Sequence, residues 1–136
     1  MNTMNAFTKL IRYFQNHPIK IFLLDGAGAL LTATSIALVN KYGNELFGLP
    51  YEVLTMLSSI AFIFAFYSLS IYFLKAKATK KFLLPIMIAN LLYCILSAGV
   101  VLFFRSELTL VGFLYFIFEI IVILTLVYLE NEIYKG

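Results

Sequence analysis

The sequence predicts an all-α membrane fold: an antiparallel bundle of four transmembrane helices preceded by a short amphipathic interfacial helix. Two observations carry that prediction. Hydrophobic residues fill 62% of the 136 positions and charged residues only 12%, about half the roughly 25% of an ordinary soluble domain. Too little polar surface remains to cover a water-soluble globule. Four apolar stretches account for the excess, at residues 21–39, 53–74, 82–104 and 108–129, each near the ~20 residues that span hydrocarbon. They take up most of the chain, so a single membrane-embedded domain is expected.

The first element is the interfacial helix, residues 5–17. Phe7, Leu10, Ile11 and Phe14 recur at helical spacing, with Lys9 and Arg12 on other faces. One apolar stripe beside basic residues suits the headgroup region, as an anchor or as a docking helix for a partner. Pro18 ends it, because the residue before a proline is pushed out of helical geometry.

The first span follows. Ser35-Ile36-Ala37 loosely resembles a signal-cleavage site, but the apolar run exceeds the roughly 7–15 residues of a signal core and Asp25 interrupts it, so the span is expected to be retained. Gly43, Gly48 and Pro50 punctuate the loop to the second span, and Pro50 suits a position just ahead of the helix or in its first turn. The next connection, from Lys75 to Lys81, holds four lysines. Pro85 then falls near the start of the third span, where a missing amide donor costs little. Only Arg105-Ser106-Glu107 separates the third and fourth spans, which requires a tight hairpin.

Basic residues set the orientation. With the N-terminus inside, the cytoplasmic side receives Lys9, Arg12, Lys20, Lys75, Lys77, Lys80, Lys81 and Lys135, while the outside receives Lys41 and Arg105. This bias predicts a multi-pass bacterial inner-membrane protein with both termini cytoplasmic. Tyr42 and Tyr51 mark the outer interface, and Tyr13, Tyr72, Tyr128 and Tyr134 the inner one. The net charge of +3 is therefore spent on orientation, and no nucleic-acid partner is expected. The lysine connection also suits anionic lipid.

Few side chains in the spans can do chemistry. Asp25 and Glu119 are the acids, and an acid at membrane depth is a functional-site hypothesis by default. At about 1.5 Å of rise per residue, Asp25 lies roughly 7–8 Å inside the cytoplasmic end, Asn90 about 13 Å, and Glu119 near the middle. A shared polar locus of Asp25, Asn90, Tyr93, Glu119 and Tyr67 is the candidate site. In the first span Asp25, Gly28, Ala29, Thr32 and Ser35 share one side, beside a small-residue strip of Gly26, Ala33 and Ala37. The second offers Ser58, Ala61, Ala65, Ser68 and Tyr72; the third Asn90, Tyr93, Cys94 and Ser97; the fourth Gly112, Tyr115 and Glu119. Small and polar faces of this kind are what packed helices use inside membranes.

Each residue also has a structural reading. Asp25 can bond near its helix end or turn toward Lys20. Glu119 has no basic residue within reach on its own helix, so it either couples protons or substrate or bridges, as a neutral donor, to Asn90, Tyr67 or Tyr93. Asn90 suits an interhelical bond, Cys94 packing, and His17 a solvated position. Gly26-Ala27-Gly28 sits inside an apolar span and fits close helix packing rather than a nucleotide loop. No nucleophile–base pair or metal set can be assembled, so neither an enzyme nor a cofactor is expected.

The runs Leu24-Asp25-Gly26-Ala27-Gly28-Ala29-Leu30-Leu31, Ala89-Asn90-Leu91-Leu92-Tyr93-Cys94 and Tyr115-Phe116-Ile117-Phe118-Glu119-Ile120-Ile121 resemble a group of small four-helix membrane proteins of Bacteroidetes-type bacteria whose activity is unknown. The opening Lys9-Leu10-Ile11-Arg12-Tyr13-Phe14 and the glycine-rich first span look like GtrA-type proteins, implicated in moving lipid-linked sugars, although the polar and aromatic signatures of their second and fourth spans are absent. Small multidrug exporters share the size and an intramembrane Glu, but theirs lies in the first span and their charge bias is weak. Three function classes stand: a non-enzymatic polytopic membrane protein of unknown activity, a small transporter or lipid-linked substrate carrier using Glu119 as coupling acid, and an accessory subunit of a larger membrane complex. The partners these imply are the lipid bilayer, another membrane protein or further copies of the chain.

Overall fold

The structure, a computed structural model, describes residues 4–74 and 79–135, with side chains from 6–74 and 81–135. Lys75 and Lys77 of the lysine connection, and the Lys80 side chain, lie outside the described residues. Five α-helices follow in order: α1 (Met4–Asn16), α2 (Lys20–Gly43), α3 (Tyr51–Phe73), α4 (Thr79–Phe103) and α5 (Leu110–Lys135). A 3₁₀ turn, Asn44–Leu46, separates α2 from α3. Four of them, α2 to α5, are long and apolar enough to cross a membrane.

The four long helices form a bundle of two close pairs. Along its length α2 packs against α3, and α4 against α5, while the pairs touch each other more loosely. Small residues explain the close approach of α2 to α3. A Cβ at Gly26 would stand 2.6 Å from Leu69 Cγ, and Ala33, Ala61 and Ala65 are buried. Hydrogen bonds pin the pair at three levels: Asn40 Nδ2 donates to Thr55 Oγ1 at 2.9 Å, Ser58 Oγ to the Ala33 carbonyl at 3.1 Å, and Ser68 Oγ to Asp25 Oδ2 at 2.6 Å.

Two apolar cores close the ends. Phe14, Ile21, Phe22, Ile71, Leu83, Leu129 and Ile133 gather at one; Ile36, Phe47, Leu49, Leu54, Val100 and Phe116 gather at the other. At the first end α1 docks on α5. Phe14 is buried, Phe7 stacks on Tyr128 with ring centroids 5.8 Å apart, and Gln15 Nε2 donates to the Glu132 carbonyl at 3.1 Å. The apolar stripe of α1 is thus partly used within its own bundle.

At the other end the loops interlock. The Thr109 amide donates to the Phe47 carbonyl at 3.0 Å, and Thr109 Oγ1 caps α5 by accepting from the Gly112 amide at 3.0 Å. Between them Gly48 adopts φ +80°, and a Cβ there would stand 2.1 Å from the Glu107 carbonyl oxygen. Only glycine meets both conditions. Pro50 is the N-cap of α3.

One expectation needs correction. Pro85 is not in a first turn: α4 begins at Thr79, which makes Pro85 interior. Its missing amide loosens that stretch of the ladder, and Tyr67 Oη donates nearby to the Phe82 carbonyl at 2.9 Å. The helix of the fourth span, α5, runs on past residue 129 to Lys135. Charge suggested an end there, but Glu130 and Ile133 are buried, so packing carries the helix on.

Candidate functional site

Two polar sites occupy the bundle interior. The first is a clamp made of one residue from each long helix. Asp25, early in α2, is 2% exposed. Its Oδ2 accepts from Ser68 of α3 at 2.6 Å, and its Oδ1 accepts from Asn90 Nδ2 of α4 at 2.9 Å. Asn90 Nδ2 also lies 3.4 Å from Glu130 Oε1 of α5. Glu130 is fully buried, and its Oε2 has no hydrogen-bond partner among the described residues. Asp25 does not turn toward Lys20, whose ammonium donates instead to Tyr13 Oη at 3.1 Å. Among the described residues the one ion pair is Lys135–Glu132, at 3.3 Å.

The second site is a cleft of about 240 Å³. Its α2 wall is Asp25, Gly28, Ala29, Thr32 and Ser35, the face read from the sequence, and Asn90, Tyr93, Tyr115 and Glu119 complete the polar lining. The mouth lies between α2 and α5, where Leu31 is 70% and Phe118 68% exposed. Nothing stands within 4 Å of a Cβ built on Gly28. Apolar walls with a few convergent polar groups are the usual constitution of a small-molecule site.

Glu119 dominates that lining. Tyr115 Oη, one turn earlier on α5, donates to its Oε2 at 3.3 Å, and Thr32 of α2 lines the same cleft. Its other oxygen, Oε1, is buried without a hydrogen-bond partner among the described residues, as is Tyr93 Oη. Glu119 is 5% and Tyr93 4% exposed. A buried polar atom with no partner is costly, and water or a ligand in the adjoining cleft would offset the cost.

Asp25, Asn90, Tyr93 and Glu119 therefore line one cavity, while Tyr67 does not join them and bonds to Phe82 instead. Asn90 bonds to Asp25 rather than to Glu119. Three partners were missing from the sequence reading: Glu130, Ser68 as the bond to Asp25, and Tyr115 as the bond to Glu119. A signal for Glu130 existed, since it lies eleven residues after Glu119, three helical turns on the same face. Cys94 is buried and free, and no group of three His, Cys, Asp or Glu among the described residues is placed to hold a metal ion. Compared with protein-family models, curated proteins and solved structures, the chain matches none.

Proposed function

We propose that this chain is a non-enzymatic, multi-pass protein of the bacterial inner membrane that binds a small ligand in the cleft, as a small transporter or carrier does. The observation that carries the reading is that Glu119 and Tyr93 line a cleft with an open mouth and that each carries a buried polar atom, Oε1 and Oη, with no partner among the described residues. In this reading the clamp of Asp25, Ser68, Asn90 and Glu130 holds the helices, and Glu119 meets the ligand.

Antiparallel spans are supported by the paired positions of α2 and α3, where 40 meets 55, 33 meets 58 and 25 meets 68. Cytoplasmic termini are supported by the basic bias, since Lys20, Lys81 and Lys135 belong to the helix ends beside the core that contains Phe14. The lipid bilayer is then the surrounding partner of exposed Leu31, Phe66, Phe103 and Phe118.

Cysteine accessibility tests the reading. In a Cys94→Ser background, Thr32→Cys in the cleft is expected to react with a small charged methanethiosulfonate in membranes, because the unpartnered acid keeps the cleft hydrated. Ile95→Cys, on an exposed apolar surface, is expected to stay unreactive. If Thr32→Cys is as inert as Ile95→Cys, the cleft is closed and the reading fails.

A further inference from the structure

We propose that the cleft binds a small organic cation with an apolar body, its ammonium held between the Glu119 carboxylate and the hydroxyls of Tyr93 and Tyr115, and that it enters laterally between α2 and α5. This rests on the ligand-binding reading above and names the class of ligand.

Charge complementarity selects the class. The polar lining offers two acids, Asp25 and Glu119, and no basic residue lines the cleft among the described residues. An anion would meet like charge in a poorly screened site. Asp25 has its acceptors engaged by Ser68 and Asn90, so the free acceptor is Glu119 Oε1. An ammonium has three donors and no acceptor. Glu119 Oε1 and the unpartnered Tyr93 Oη supply two acceptors for it, and the lone pair left on Tyr115 Oη supplies a third.

Aromatic faces reinforce the choice. Tyr93 and Tyr115 flank Glu119, and Phe64 meets Tyr93 edge-on with ring centroids 5.9 Å apart. Aromatic rings attract cations through their negative faces. A neutral ligand would use the walls but leave the carboxylate without a counter-charge.

Size and access set the rest. At about 240 Å³ the cleft exceeds the ~150 Å³ apolar cavity that admits benzene, and it falls short of the roughly 300–1,000 Å³ of drug-sized sites. One ring or a short aliphatic body therefore fits, along Phe64, Val122 and Leu126. Gly28 leaves the α2 side of the mouth free of a side chain, and the exposed Leu31 and Phe118 make its rim apolar. That rim suits a ligand arriving from the bilayer rather than from water.

The test uses the purified full chain in mild detergent with 2-phenylethylamine, 2-phenylethanol and phenylacetate at neutral pH, read by calorimetry and thermal shift. The amine is expected to bind at least about tenfold tighter than the alcohol, and phenylacetate weakest. Glu119→Gln is expected to bring the amine down to the level of the alcohol. Should that variant not fold, Tyr93→Phe replaces it, since the lost hydroxyl has no protein partner; a several-fold loss specific to the amine is expected. Gly28→Leu, which fills the mouth, is expected to weaken all ligands.

Equal affinity for amine and alcohol, as an acyl chain site would give, overturns the cation assignment. So does tighter binding of phenylacetate, or a dimer that Gly28→Leu dissociates. If none of the three compounds binds while Thr32→Cys is labelled, the ligand class falls and the cleft reading stands. If Thr32→Cys is also inert, both fall.

Discussion

Two glycines two residues apart, Gly26 and Gly28 on opposite sides of α2, are expected to respond oppositely to alanine. A Cβ at position 26 would stand 2.6 Å from Leu69 Cγ, 2.7 Å from Leu69 Cδ2 and 3.2 Å from the Leu69 amide nitrogen. Ordinary carbon contacts lie at roughly 3.5–4.0 Å, so Gly26→Ala is short by about 1 Å of room. Cγ is not the loose tip of its side chain, and the backbone atom blocks the simplest retreat. Leu69 must leave its rotamer or α2 must move off α3, and overpacking of this kind costs about 1–3 kcal/mol. At position 28 nothing lies within 4 Å. Both variants gain the same helix preference of alanine over glycine, roughly 0.5–1 kcal/mol. Their difference therefore isolates the packing cost, about 1–3 kcal/mol by the same overpacking range. Gly28→Ala should be slightly more stable than the parent chain, and Gly26→Ala should melt roughly 3–10 °C below Gly28→Ala, by the usual scaling of melting temperature with free energy. Circular dichroism of each variant in the same detergent reads this directly. Equal shifts in the two variants, or greater stability of Gly26→Ala, would refute the close approach of α2 and α3.

Further outcomes follow from the same contacts. Asp25→Ala removes the acceptor of Ser68 and Asn90; at about 0.6 kcal/mol per interhelical bond it should cost roughly 1 kcal/mol, while Asp25→Asn should cost less, with detergent unfolding as the measure. Gly48→Ala forces φ +80° on an L-residue and drives a Cβ into the Glu107 carbonyl. The first effect alone costs about 1–2 kcal/mol, so its folded yield should fall well below that of Gly28→Ala. Glu119→Gln should fold and melt near the parent chain yet lose ligand preference; if it unfolds the protein while Glu119→Leu is tolerated, neither the ligand role nor the bridging role survives.

Much of the architecture was legible because membrane helices advertise themselves by length and apolarity. The inward faces were legible too. Asp25, Gly28, Ala29, Thr32 and Ser35 recur at three- and four-residue spacing, and that side of α2 lines the cleft. Sequence spacing reports which residues share a face, but not which faces of different helices meet. That is why Asn90 was paired in prospect with Glu119, when it bonds to Asp25. Tyr67 adjoins the polar side of the second span and so reads as a partner of the acids, whereas its hydroxyl serves the carbonyl of Phe82 in the turn that Pro85 loosens.

Glu130 escaped for a different reason. A charged residue after an apolar run reads as the water boundary, and here α1 covers that end of α5 while Asn90 receives the carboxyl. Burial by a separate element cannot be seen from the run itself. The outcome shifts emphasis between the acids. Both carboxyl oxygens of Asp25 are bonded in a four-helix clamp, and Glu119, which lines the cleft, keeps an oxygen without a partner among the described residues.

That division is the central claim, and carboxyl labelling measures it. Dicyclohexylcarbodiimide, a membrane-permeant reagent for carboxyl groups, would be applied to the intact chain at mildly acidic pH and its adducts mapped by mass spectrometry. The account predicts an adduct at Glu119 and protection of Asp25 and Glu130. Labelling of Asp25 or Glu130 with Glu119 untouched, or equal rates at all three, would contradict it.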